Sequence, residues 1–383
     1  MSNLFPAKSW ETEEIAMFRE SARRFMNDEV VPNDKRWRAQ RFVDRSFWEK
    51  AGALGALCPS ISEEYGGGGG SFALDAVVAE ELSYANCTSV GHAVHGVISA
   101  HYIQAYGTEE QKQRWLPKLC TGEWIAAIGM TEPGGGSDLQ AIRTTARREG
   151  DFYIVNGSKI FITNGLMCDL LVLAVKTDPG ARGRGTSLIV VETVDLPGFN
   201  RGRNLKKIGM HGSDTAELFF EDMKVPVTNR LGEEGVGFVQ MMKQLPQERL
   251  AVALAAQAMM EKAVEITVDY VKQRIAFGKP LLDFQNTRFK LAECLTLART
   301  SRSFVDECVV RHLKGELSAS DASMAKYCTT DNQCRVVDEC LQLHGGYGFM
   351  DEFAIGRMYA DVRIQRIYGG TNEIMKELIA RTL

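Results

Sequence analysis

Between Trp124 and about Pro226 the chain changes period, and that change constrains its fold more than any other feature. The segment holds short runs rich in β-branched and aromatic residues: WIAAIGM, TTARR, FYIVNG, KIFIT, DLLVLAVK, TSLIVVET and AELFFEDMKV. Turn residues separate them, among them Glu149-Gly150-Asp151, Asn156-Gly157, Pro179-Gly180 and Pro197-Gly198. Runs spaced by roughly ten residues with such turns between them predict a small sandwich or barrel. No GxGxxG joins a strand to a helix, which argues against a dinucleotide-binding βαβ sheet.

Both flanks read as helical. Thr12 to Val30 repeats apolar residues at Ile15, Phe18, Ala22, Phe25 and Met26, and Pro32 is expected to close that helix. Ser46 is a candidate cap for Phe47 to Leu54. Residues 63 to 71, EEYGGGGGS, lack the Lys-Ser or Lys-Thr of a phosphate loop and read as a flexible connection. Phe72 to Leu82 and His92 to Tyr106 follow, and Thr108 caps a helix that ends near Gly122. Beyond Gly235 the helical segments are roughly 236–273, 283–314, 318–343 and 351–367, with a short one from Thr371. Long amphipathic helices in series predict a bundle. The expected class is therefore α+β, in three parts: a helical domain over 1–123, a small β-sandwich or barrel over 124–232, and a C-terminal four-helix bundle over 233–383.

A net charge of -4 gives no reason to expect nucleic acid as a partner. No apolar run approaches the roughly 20 residues of a membrane span, and the N-terminus lacks the basic start and apolar block of a secretory signal. A cytoplasmic location is expected. Nine scattered cysteines without a CxxC pair read as reduced, mostly buried thiols. His92 and His95 have no acidic or thiol partner in sequence reach, so no metal site is expected.

The chemical centre is read at Glu248, within QLPQERLAV. At helical spacing it shares a face with Leu245, Ala251, Val252 and Ala255. A carboxylate on such a face is either paired, for instance with Arg249, or raised in pKa as a general base requires. Met130 to Asp138, MTEPGGGSD, is a glycine loop with hydroxyls at Thr131 and Ser137. Lys159 to Gly165, KIFITNG, would set Phe161 and Thr163 on the face opposite Ile160 and Ile162. An aromatic beside a hydroxyl suits a flat heterocycle, and a half-buried strand explains it equally. KQRIAFG at Lys272 to Gly278 puts a basic group at a helix end, and QLHGG at Gln342 to Gly346 and RIYGGTNE at Arg366 to Glu373 place glycines at helix ends.

In this order, these motifs resemble the acyl-CoA dehydrogenase family over nearly the whole chain. The resemblance implies bound FAD, usually a homotetramer, oxidation of an acyl-CoA thioester to trans-2-enoyl-CoA, and electron-transferring flavoprotein as acceptor. Many members carry the catalytic glutamate as YEGT; here Tyr368-Gly369-Gly370-Thr371 has glycine at that position. In the isovaleryl and long-chain branches the base sits instead on the first helix of the C-terminal domain, where this chain has Glu248. PQER, DTAELFFED and IYGGTNEIMKELIAR resemble the long-chain branch.

By the same resemblance, the Gly369 N–H and a flavin hydroxyl would hold the thioester oxygen, and flavin N5 would take the Cβ hydride. Phe161 would lie over the flavin ring system, Thr163 would hydrogen-bond near N5, and Ile162 would also bind the cofactor. Met130, Thr131 and Ser137 would contact flavin or the CoA portion. Arg274, Phe277 and Gln285 would hold the FAD pyrophosphate or adenine, partly across a subunit interface. Gln342, Leu343, His344, Gly345 and Gly346, with Thr371, Asn372 and Glu373, would complete the cofactor site. Gly370 would contact the substrate, Arg249 would contact CoA or anchor the helix, and the acyl tail would point towards Val94, Val97 and Ile98. A short branched-chain dehydrogenase, a flavin oxidase on the same scaffold and a cofactor-free binding protein are the competing readings.

Overall fold

The computed structural model describes residues 4–383, and three parts follow one another along it. Thr12 accepts the Ile15 amide and opens α1 (Glu13–Phe25). Pro32 does not end this helix, contrary to the sequence expectation. A π-helical turn over Met26–Val30 leads straight into α2 (Val31–Gln40), and Pro32 falls in its first turn, where a missing N–H costs least. Ser46 is likewise not a cap. The Phe47 amide bonds the Asp44 carbonyl, so α3 (Arg45–Ala53) starts from Asp44. The five-glycine stretch is packed rather than flexible. Amides of Gly67 to Gly70 bond carbonyls between Cys58 and Ser62, and a Cβ at Gly67 would sit 2.2 Å from the Ile61 carbonyl oxygen.

Helix α4 (Phe72–Tyr84) is capped by Ser71. A π-helical segment over Ala93–Ala100 then runs into α5 (His101–Tyr106), and Thr108 with Gln111 forms a capping box for α6 (Glu109–Thr121).

The middle part has eight strands: β1 (Ala126–Gly129), β2 (Thr145–Glu149), β3 (Phe152–Thr163), β4 (Leu170–Lys176), β5 (Thr186–Glu192), β6 (Phe199–Asn204), β7 (Thr215–Pro226) and β8 (Arg230–Leu231). Their order is β6-β7-β3-β2-β4-β5-β8, with β1 parallel to β4. β2 and β4 meet at one residue pair, Thr145 and Lys176, so the sheet is two leaves joined at a corner. Tyr153, Val155, Leu218 and Phe220 of one leaf share a core with Leu171, Leu173, Ile189 and Val191 of the other. The opposite face of β4 and β5 (Leu170, Val172, Leu188, Val190) packs on Trp115, Leu116 and Leu119 of α6. Burial on both faces explains why these two strands read as unbroken apolar runs. FYIVNG and KIFIT are one strand, β3, with register shifts between Val155 and Gly157 and between Lys159 and Ile162. Asn156-Gly157 is therefore a bulge, not a turn. The polar β6 carried no strand signal.

His95 joins the two parts. Its Nδ1 accepts the Ala126 amide at 3.0 Å and its Nε2 lies 3.0 Å from the Leu119 carbonyl. Burial pushes its pKa down to about 3, so the ring is neutral with the proton on Nε2.

The C-terminal part is α7 (Gly237–Gln273), a hairpin of β9 (Ile275–Ala276) and β10 (Lys279–Pro280), then α8 (Gln285–Leu313), α9 (Ala319–His344), α10 (Ala354–Val362) and α11 (Asn372–Ala380). A buried ion network locks this bundle to the first helices. Arg302 of α8 pairs with Glu80 of α4 and Glu261 of α7, and Arg19 of α1 pairs with Glu80 and Glu81. No helix among the described residues is long and apolar enough to cross a membrane.

Candidate active site

Glu248 lies on the buried face of α7, 7% exposed. Tyr102 of α5 donates its hydroxyl to Oε1 at 3.0 Å. Burial pushes the Glu248 carboxyl up to about 7, against the opposing pulls of the Tyr102 hydrogen bond and the Arg249 charge. No ion pair forms with Arg249. That guanidinium turns instead towards Ser323 of α9, 3.4 Å away, and its Nε has no partner. Of the two readings open in the sequence, the raised carboxylate is the one found. Tyr102 carried no signal in the sequence beyond its place on a helical face.

The last motif meets α7 beside this acid. Gly369 and Gly370 both have left-handed backbone, φ 66° and 93°, which favours glycine. A Cβ at Gly369 would touch Val252 Cγ2 at 3.6 Å, one turn beyond Glu248, and one at Gly370 would lie 4.0 Å from Arg249 Nη2. Thr371 caps α11 by accepting the Ile374 amide. Asn372 is buried, and its side chain is consumed by α9: it donates to Thr330 and Asp331 and accepts from Lys326. The cofactor role expected for Asn372 thus has no free side-chain group to use. Glu373 is in the first turn of α11.

The first two motifs form one body. Lys159, buried, donates to the Met130 carbonyl at 3.0 Å and to Glu132 at 2.8 Å, while the Ile160 amide bonds the Thr131 carbonyl. Glu132 also accepts the Arg143 and Thr144 amides and the Thr144 hydroxyl. This anchors a loop whose Ser137 is exposed. Lys159 and Glu132 were missed as site residues, although both charges stand inside the motifs. Phe161 sits in the bulge with φ 61° and its ring 63% exposed, a strained aromatic held outward. Ile162 points the other way into the sandwich core, which leaves only its backbone for the cofactor contact expected of it. Thr163 is half-buried, and its neighbour Asn164 bonds the Gly91 carbonyl at 3.0 Å, just before the π-helical segment. That segment reaches α7 through Gln247, which donates to the Val97 carbonyl at 3.0 Å. The flavin-type motifs and Glu248 are thereby tied together. Val97 is fully enclosed, contrary to its expected place beside an acyl tail; Val94 and Ile98 are half-buried.

The remaining motifs form a separate cluster. Tyr270 stacks on His344 at 4.2 Å and bonds its carbonyl, while the His344 ring is held by the Cys340 carbonyl. Arg274 lies over the Tyr347 ring at 5.5 Å, and Phe277, φ 51° and 96% exposed, projects from the hairpin. Gln285 opens α8, whose N-terminus has no side-chain cap. Nothing lies within 4 Å of a Cβ built on Gly345 or Gly346; Gln342 is exposed and Leu343 half-buried. Arg274 stands twenty-six residues beyond Glu248 on and just past one helix, on the order of 39 Å by helical rise. Within one protomer the length of α7 thus holds Arg274 far from Glu248.

All nine cysteines are free, and no metal-binding group of His, Cys, Asp or Glu occurs among the described residues.

A helical part, a β part and a helical bundle enclose one buried carboxylate, Glu248, whose pKa burial raises to about 7. Models of the acyl-CoA dehydrogenase N-terminal, middle and C-terminal domains match residues 12–123, 127–223 and 235–383. The chain is 48% identical to the long-chain specific acyl-CoA dehydrogenase of Mus musculus mitochondria, over 96% of this chain and 86% of that protein. It superposes on an acyl-CoA dehydrogenase from Geobacillus kaustophilus with a TM-score of 0.96 and 51% identity, covering 98% and 99% of the two chains. A glutaryl-CoA dehydrogenase from Mycobacterium smegmatis in complex with FADH2 gives 0.90 and 27%, covering 97% and 95%. The chain belongs to the acyl-CoA dehydrogenase family. It is an FAD-dependent oxidoreductase that dehydrogenates an acyl-CoA thioester.

Proposed function

We propose that Glu248 takes the Cα proton of the thioester while the Gly369 N–H donates a hydrogen bond to the thioester oxygen, where negative charge develops. The observation that carries this is a carboxylate poised near neutrality, with no ion-pair partner, beside two glycines of left-handed backbone. A Cα proton is weakly acidic, so a base alone is insufficient; a preorganised donor at the oxygen must share the work. Gly369 keeps the N–H and gives up the side chain that would compete with Glu248 for the same space.

The residues fit FAD: an outward Phe161 ring, an open Gly345-Gly346 turn and an uncapped helix N-terminus at Gln285, where anions bind favourably. When bound, FAD accepts the Cβ hydride. Phe161, Thr163, Met130, Thr131 and Ser137 hold the ring end. Arg274, Phe277, Gln285 and the Gln342–Gly346 turn hold the adenine end of a neighbouring subunit's FAD, since helix length keeps them from their own. The exposed apolar side chains Phe277, Phe289, Phe349 and Met350 support burial in a homotetramer. The substrate is a medium, long or branched acyl-CoA, with Val94 and Ile98 beside the tail. Electron-transferring flavoprotein receives the electrons, and the free thiols accord with a cytoplasmic location.

Glu248→Gln is expected to bind FAD normally and to leave it oxidised when acyl-CoA is added anaerobically. Bleaching at near wild-type rate would refute the assignment. The same assay across straight and branched acyl-CoAs sets the chain length.

A further inference from the structure

Lys326 of α9 is fully enclosed, yet no carboxylate lies within ion-pair distance of its ammonium. Its Nζ donates to the Gly370 carbonyl at 2.7 Å and to Asn372 Oδ1 at 2.9 Å. Asp331, the acid closest in the same network, is already engaged by Arg366 at 2.6 Å and by Asn372. Burial pushes the lysine down to about 8, and the nearby Arg249 charge adds to the effect. A buried ammonium on two neutral oxygens is costly to maintain, and a perturbed buried charge beside a reacting site is a candidate for a functional role.

Its two acceptors bracket Thr371, directly after the left-handed pair Gly369-Gly370. Two successive glycines have a wide choice of backbone conformation and would otherwise leave the Gly369 amide poorly aimed. We infer that Lys326 is a positioning residue for the reaction: by holding the Gly370 carbonyl and the Asn372 side chain, it fixes the loop so that the Gly369 N–H faces the thioester oxygen. The inference rests on the reading of Gly369 given above and extends it to a side chain on a different helix. The lysine acts through the loop without touching substrate. Its charge and that of Arg249 have no carboxylate in ion-pair contact, and both stand near the path along which negative charge moves from Glu248 to the thioester oxygen.

The test uses the FAD-loaded enzyme and a 3-thiaacyl-CoA, which has an acidic Cα but no Cβ hydrogen to remove. Its ionised form, lying against oxidised flavin, gives a long-wavelength absorbance whose pH dependence reports stabilisation of the anion directly. Lys326→Met keeps the aliphatic stem and removes the donor. Lys326→Gln is shorter and neutral and cannot span both acceptors. In whichever variant retains flavin, the apparent pKa of the bound ligand is expected to rise by about one pH unit, tenfold in the ionisation equilibrium. The variants should also lose kcat with little change in KM, and Lys326→Arg should recover part of the loss. An unchanged ligand pKa in a flavin-loaded neutral variant overturns the role of Lys326 alone. Failure of the wild-type enzyme to ionise the ligand overturns the Glu248 and Gly369 reading itself.

Discussion

Removing the Tyr102 hydroxyl should make Glu248 a base that is present too late. In Tyr102→Phe the carboxylate loses its one hydrogen bond, 3.0 Å long and buried, while the ring that excludes water stays. A hydrogen bond to a charged group is worth about 1.5 to 3 kcal/mol. At 1.36 kcal/mol per unit this moves the carboxyl from about 7 to roughly 8 or 9. Only the ionised form can take a proton, so the acid limb of kcat/KM should move up by the same amount. At pH 7 the wild-type group is about half ionised, and the variant about one-tenth to one-hundredth, a loss of roughly 5- to 50-fold. The loss should vanish above the new limb. Stopped-flow flavin reduction from pH 6 to 10 measures this. A limb that stays put while the rate falls equally at every pH would show that Tyr102 positions substrate instead. A limb that moves down would refute the electrostatic argument outright.

The same carboxyl predicts a stability effect. Its folded value lies above the unfolded one, so its contribution is full below about 4.5 and is lost as pH rises through about 7. Glu248→Gln should therefore be more stable than wild type at pH 8 by up to about 3 kcal/mol, with the gap closing near pH 4.5 in chemical denaturation. Glu132→Gln leaves the buried Lys159 without its counter-charge; we expect a loss of about 3 kcal/mol and weaker flavin retention on dilution, read by fluorescence of released flavin. Gly369→Glu in a Glu248→Gly background should recover measurable flavin reduction, because a Cβ there already touches the helix turn that carries Glu248. No recovery would place the two positions on different sides of the substrate.

The helical and β divisions were legible because each depends on local period. DLLVLAVK and TSLIVVET announced strands buried on both faces, and the alanine-rich run after Glu248 announced a core helix. What period cannot show is a change of hydrogen-bond pattern inside a helix. The π turn that carries the chain past Pro32 has no residue signature, and the bulge at Phe161 hides within an apparently regular KIFIT. Glu248 drew notice as an acid on an apolar face, but only the resemblance of PQER and the YGGT motif to the long-chain branch separated a base from a paired carboxylate. Tyr102 and Lys326 did not, since a tyrosine on a helix and a lysine in an ordinary run gain meaning only from what lies across from them. The partly buried loop residues of MTEPGGGSD were visible as a motif, but the role of Glu132 as its anchor depended on Lys159, 27 residues away in the chain and 2.8 Å away in space.

One helix carries the proposed base near one end and delivers the chain to the hairpin proposed to hold adenine at the other. This has a genetic corollary. If the proposed tetramer forms, a subunit damaged only at Glu248 still offers its neighbour a sound hairpin, and one damaged only at Arg274 still offers a sound base. Co-expressed, two such dead alleles should yield mixed assemblies in which some sites are whole, so that activity returns from parents that have none. Two alleles damaged at the same end should never rescue each other.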